Sequence, residues 1–211
     1  MIHPHELKVL RHYNVPGRFY HTVSHVLELL ELHTFGSTRG VSIPFYSKRR
    51  PVFGEWEESA LRSAIVAHDA VYEIGREKGY NERASYDLWE KVAGLRPSYP
   101  MELLVEVTIH HDPNLICAPD AEHFHLLAHM SDLDMSALAV DWDEFEFNSE
   151  NICREFLHGG VSLADYTKGR IAFLKKTLAQ PRIFHTDLFH EALENTARNN
   201  MRRALQNLSA A

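Results

Sequence analysis

Pairs of histidine and aspartate are the residues in this sequence whose spacing suits chemistry. His21 and His25 stand four apart in FYHTVSHVLELL, so on a helix both imidazoles leave one face and could share a metal ion or a substrate. Histidines at that spacing also serve as surface or packing residues, and the pair alone decides nothing. His68 and Asp69 sit in AIVAHDAVYE, with His68 on the apolar stripe of Leu61, Ala64 and Ile65 at three- and four-residue steps. A carboxylate carried into such surroundings costs several kcal/mol unless a cation or dense hydrogen bonding receives it. Metal coordination meets that demand; so would a histidine bonded to a backbone carbonyl beside a surface aspartate. Asp132 and Asp134 in AHMSDLDMSALAV lie in a stretch too apolar for a solvated face. At roughly 100° per residue they point about 200° apart, so one is expected as a ligand and the other as a supporting or packing residue. His110-His111, just before Asp112-Pro113, suits orienting a ligand, binding substrate, holding a second metal or capping a helix C-terminus.

The elements that must carry these side chains read as helices, since Gly and Pro divide the chain and no period-two stretch is long enough for a sheet. The pattern predicts helices over about 22–33, 57–72, 81–93, 100–111 and 120–140, the last with Asp120 as N-cap. Residues 141–150 (DWDEFEFNSE) read as an acidic link to a sixth helix ending at Gly159-Gly160, and two more span about 163–178 and 186–208. Residues 36–54 read as loop, with Lys48-Arg49-Arg50 as a local basic patch. The fold class is all-α, with seven to nine helices in one domain over residues 1–211 and no internal repeat.

Composition narrows the functions. With 211 residues, 45% hydrophobic and 24% charged, the chain can bury a proper core. Its net charge of -7 disfavours extended nucleic acid, whose binding rests on lysine and arginine displacing counterions. A small anionic substrate remains open if a few cations focus on one cleft. No run of about 18 apolar residues occurs and the N-terminus lacks the apolar stretch of a secretion signal, so no membrane association and a cytoplasmic location are expected. Cys117 and Cys153 form no CxxC pattern and point away from a disulfide framework or thiolate metal site.

The order His, His-Asp, Asp over separate helices resembles the pattern that names the HD superfamily, and nearly the whole chain is similar to its bacterial branch of metal-dependent phosphohydrolases. The resemblance rests on Tyr20-His21 with His25, on His68-Asp69 with Tyr72, and on Asn81-Glu82 with Ser85. It extends to Thr108 with His111, to Asp132 and Asp134, and to Arg170, Arg182, Glu194 and Ala197-Arg198-Asn199. It implies a helical HD-domain bundle that cleaves a small phosphorylated substrate, nucleotides among the options, and that could form a homodimer. The implied metal ligands are His25, His68, Asp69 and Asp132, with Asp134 as the alternate. The Tyr-His-x-x-x-His opening also resembles cyclic nucleotide phosphodiesterases, which suggests His21 as general acid. Asp69 and Glu82 would join the catalytic set, Glu82 by holding water or a ligand histidine. Arg18, His111, Arg170 and Arg198 would contact substrate, a guanidinium being able to grip two phosphate oxygens.

Two imidazoles and two carboxylates suit Mn, Fe, Co, Ni or Zn, with Mg also open. Such an ion polarises a phosphoryl oxygen and lowers the pKa of bound water from about 15.7 toward 7. Two other readings stay in view: an HD-type di-iron oxygenase using His110 and His111 as extra ligands, and a non-catalytic metal or nucleotide sensor.

Overall fold

Apolar residues at three- and four-residue steps form helices throughout, and the sole strand-like pairing among the described residues is an isolated bridge between Ser37 and Ser42. The computed structural model describes residues 2–94, 99–119 and 121–210. The α-helices are α1 (Pro4–Leu10), α2 (Val23–Phe35), α3 (Tyr46–Arg49), α4 (Glu55–Ala67), α5 (Tyr80–Ala93), α6 (Tyr99–Glu106), α7 (Phe124–Met135), α8 (Trp142–His158), α9 (Leu163–Ala179) and α10 (Asp187–Ala210). Short 3-10 turns at Val107–Ile109 and Ser136–Ala139 extend α6 and α7. The all-α expectation holds. Asp120, expected as an N-cap, lies outside the described residues.

Helix α4 is the hub, packing on α1, α2, α5, α6 and α7. Its buried face is Ala60, Leu61, Ala64, Ile65, Val66 and Ala67, and the alanines let neighbouring backbones approach. Glu55, Glu57 and Glu58 in its first turn face the positive end of the helix dipole. Helix α10 packs along residues 136–139 and α9, and one apolar cluster runs through both groups of helices.

Two expected boundaries are corrected. The helix expected to reach Tyr72 stops at Ala67, because side chains take over its terminal carbonyls. The Tyr13 hydroxyl donates to Val66 O at 3.0 Å, and the Arg18 guanidinium donates to Asp69 O at 2.6 Å and Ala70 O at 2.9 Å. His68 and Asp69 thus stand in the turn that closes α4 rather than within the helix. The expected acidic link is instead the start of α8. Phe145, Asn151 and Glu155 are its buried positions, while Asp143 and Glu144 occupy its first turn, where the dipole favours them. A charge-rich stretch reads as loop when its sparse apolar stripe is overlooked.

Gly36 closes α2 with φ 70°, a left-handed cap whose N–H donates to Leu32 O, and an added Cβ there would strike the ring of Tyr46. The chain turns into the 36–54 segment, whose α3 places Tyr46 to donate its hydroxyl to His33 O at 2.7 Å.

Candidate metal centre and cavity

His25 enters from the first turn of α2, His68 and Asp69 from the end of α4, and Asp134 from the last turn of α7. His25, His68 and Asp69 each present a ligand atom, all within 4.8 Å of one another. Asp134 Oδ1 lies 3.4 Å from His25 Nε2 and 3.5 Å from His68 Nε2, and Asp69 Oδ2 lies 3.2 Å from His68 Nε2. His68 Nδ1 donates to Ile65 O at 2.9 Å, which leaves the Nε2 lone pair to face the carboxylates. The Nε2 atoms of His25 and His68 are both buried and lack an aligned hydrogen-bond partner among the described residues. Two orphaned imidazole nitrogens converging on two carboxylates fit a divalent transition ion, which takes mixed nitrogen and oxygen donors.

The electrostatics agree with that demand. Burial works against charge on His68, yet Asp69 and Asp134 outweigh it and lift its pKa well above the ordinary histidine value. Burial likewise opposes ionisation of Asp69 and Asp134, but the surrounding histidines, His68 foremost, hold both carboxyls below their usual range. The cluster is built to contain positive charge.

The structure brings Asp134, not Asp132, to this group, which corrects the preference for Asp132. Asp132 is wholly buried on the other side of α7, where Oδ1 accepts from His185 N at 2.6 Å and Oδ2 accepts from Thr186 N at 2.8 Å and Thr186 Oγ1 at 2.6 Å. It anchors the entry to α10. Burial pushes its pKa up to about 7, against three donors that favour the ionised form.

His21 sits beside the cluster rather than in it. Its Nε2 is 3.9 Å from Asp69 Oδ2, its ring stacks on Tyr72 with centroids 4.0 Å apart, and Nδ1 meets Glu155 Oε2 at 2.6 Å. Glu155 Oε1 accepts the backbone N–H groups of Phe19, Tyr20 and His21 at 2.7–2.9 Å. One buried carboxylate therefore fixes both the ring and the turn that carries it. Burial opposes charge on His21, but Asp69 and Glu155 prevail and raise its pKa. Sequence reasoning missed Glu155. Its signal was a carboxylate four residues after Asn151 on the buried stripe of α8.

Around this edge opens a cavity of about 520 Å³ that runs between α8 and α9. Tyr20, His21, Asp69, Glu82, His111 and Asp134 line its polar end. His111 Nε2 pairs with Asp134 Oδ2 at 2.9 Å, so it holds that carboxylate as well as facing the cavity. The Glu82 carboxyl is raised by burial and by Asp69. Arg170 also lines the cavity; its guanidinium donates to Ser149 Oγ at 3.2 Å and lies 5.2 Å from the Phe173 ring centre.

Other expected residues lie elsewhere. Arg18 is spent on the carbonyls of His21, Asp69 and Ala70, bracing the metal-side loop instead of lining this cavity. Arg198 is corrected too: it binds Glu194 and the carbonyls of Leu178 and Gln180, where it closes the C-terminus of α9. His110 is turned to Lys78 Nζ at 2.9 Å. Arg49 and Arg50 of the basic patch pair with Glu191 and Glu58.

No protein-family model, curated protein or solved structure matches this chain. No helix among the described residues is long and apolar enough to cross a membrane.

Proposed function

We propose that the protein is a metal-dependent phosphohydrolase of the HD type, which hydrolyses a phosphoester of a small substrate. The observation that carries the reading is the convergence of two unpartnered buried imidazole nitrogens and two carboxylates beside a separate, carboxylate-held histidine. His25, His68, Asp69 and Asp134 would hold the ion, which when bound supplies Lewis acidity toward a phosphoryl oxygen and toward water.

The remaining work belongs to this chain's own residues. Arg170 sits in the cavity wall to receive phosphate oxygens, with its side chain already held by Ser149. Glu82 faces the same space, and its carboxyl, raised by burial and by Asp69, can accept the proton lost by attacking water, while Asp69 serves as ligand. Glu155 accepts the Nδ1–H hydrogen bond of His21, which leaves the Nε2 proton for the leaving oxygen. Water adds to phosphorus, the ester P–O bond breaks, and an alcohol and phosphate depart. The di-iron oxygenase reading loses support, because His110 faces Lys78 and His111 is engaged with Asp134.

The test is turnover of a phosphoester panel by protein loaded with each divalent ion in turn, with metal content measured in parallel. His21→Asn should keep its metal and lose about 10²- to 10⁴-fold in turnover. The loss should shrink for nitrophenyl esters, whose leaving group needs little protonation. Equal losses on good and poor leaving groups, or loss of metal from this variant, would remove His21 as the donor. No turnover of any ester with any ion would remove the function.

A further inference from the structure

Resting on the phosphohydrolase reading, we infer that the substrate is a monophosphate ester of a compact, largely hydrocarbon alcohol, seated in the chamber between α8 and α9. The chamber's charge inventory excludes the alternatives. Arg170 is the one lysine or arginine among the described lining residues, against four carboxylates, Asp69, Glu82, Asp134 and Asp165. Besides Arg170 and the ion, only His21, whose proton is committed to the leaving oxygen, is left to meet the further negative charge of a di- or triphosphate, and like charges close together in a low-dielectric cavity are costly. A single phosphate can be met by Arg170 together with the ion.

Beyond the polar end the walls are Met135, Leu138, Phe145, Ile152, Phe156 and Phe173. Met135, Leu138 and Phe145 are buried core residues, so this surface belongs to the core and is not an accidental groove. Asn148, Ser149 and Tyr166 are the neutral polar groups between α8 and α9; Ser149 Oγ is already engaged by Arg170, and the Tyr166 hydroxyl donates to the backbone carbonyl of Ser149. A polyhydroxylated body would leave most of its hydroxyls without partners, a penalty larger than the gain from shape. An apolar body of ring size matches both the lining and a volume of about 520 Å³.

Gly169 makes the proposal testable without disturbing the centre. It lies on α9 facing the chamber, its backbone is ordinary helix, and an added Cβ would meet no atom within 4 Å. A larger residue there fills chamber space at no cost to the fold, since glycine is the weaker helix former. The experiment is calorimetric binding of 1-naphthyl phosphate, glycerol 3-phosphate and adenosine triphosphate to manganese-loaded wild type and Gly169→Leu, with turnover and metal content recorded separately. Naphthyl phosphate should bind wild type at least tenfold more tightly than either polar probe, and Gly169→Leu should reduce its affinity relative to glycerol 3-phosphate at least tenfold. Equal or tighter binding of glycerol 3-phosphate or the triphosphate, or an unchanged ratio in Gly169→Leu, would overturn the inference. Turnover without apolar preference would sink the chamber assignment and keep the hydrolase. The expected binding order without turnover would keep the chamber and sink the hydrolase.

Discussion

Asp134→Asn and Asp132→Asn change side chains two residues apart on α7, yet they should fail in different assays. The Asp134 carboxylate touches three histidines at 2.9–3.5 Å, and among the described residues no backbone donor is its partner. Replacing one carboxylate oxygen by an amide removes the negative charge the ion needs. Losing a group that merely supports a ligand costs about 10- to 100-fold in metal affinity, so losing the ligand charge should cost about 100-fold or more. Asp132 accepts two backbone N–H groups and one hydroxyl inside the protein. An asparagine there keeps one acceptor oxygen but turns its NH₂ toward a donor, leaving a buried polar group unpaired at about 1–3 kcal/mol. For a chain of this size, about 2–4 °C per kcal/mol converts that to a fall in Tm of roughly 2–12 °C. Metal titration by calorimetry and thermal unfolding of chelator-treated protein read the two effects independently. The reasoning fails if Asp132→Asn loses metal affinity with an unchanged Tm, or if Asp134→Asn binds metal as wild type does.

Glu155→Gln should keep the metal yet lower turnover about 10- to 100-fold and move the pH–rate profile, because the His21 ring loses its anionic partner; an unmoved profile would reduce Glu155 to a purely structural support. Arg198→Ala should lower the unfolding midpoint while leaving KM unchanged, since its partners are Glu194 and helix-end carbonyls; a raised KM would restore it to the substrate site. The Glu58 carboxyl is held down to about 2 by its bond to His33, with burial opposing and Arg50 assisting. A depressed folded-state pKa adds stability above about pH 4.5 that disappears as pH falls toward 2. The denaturation midpoints of wild type and Glu58→Gln should therefore differ at pH 6 and converge across that window, and a constant gap would show that the carboxyl's charge is not what matters.

Helices at 23–35, 80–93 and 163–179 were legible in one dimension, because an apolar stripe, a glycine stop and a breaker are all local signals. The composition of the site was legible in part: a histidine on a buried stripe with an aspartate beside it calls for a cation or dense hydrogen bonding before any fold is known. The choice between Asp132 and Asp134 was not. Both lie on the same apolar helix at opposite azimuths, and which azimuth faces His25 and His68 depends on how α7 docks between α2 and α4. Arg198 and Glu155 show the same limit from both sides. An arginine in a promising motif is consumed by the C-terminus of α9, while an unremarked glutamate 134 residues from His21 becomes its hydrogen-bond partner. A side chain's neighbours along the chain set its helix face and its burial. The groups that satisfy its charge arrive from other helices, and only their packing says which.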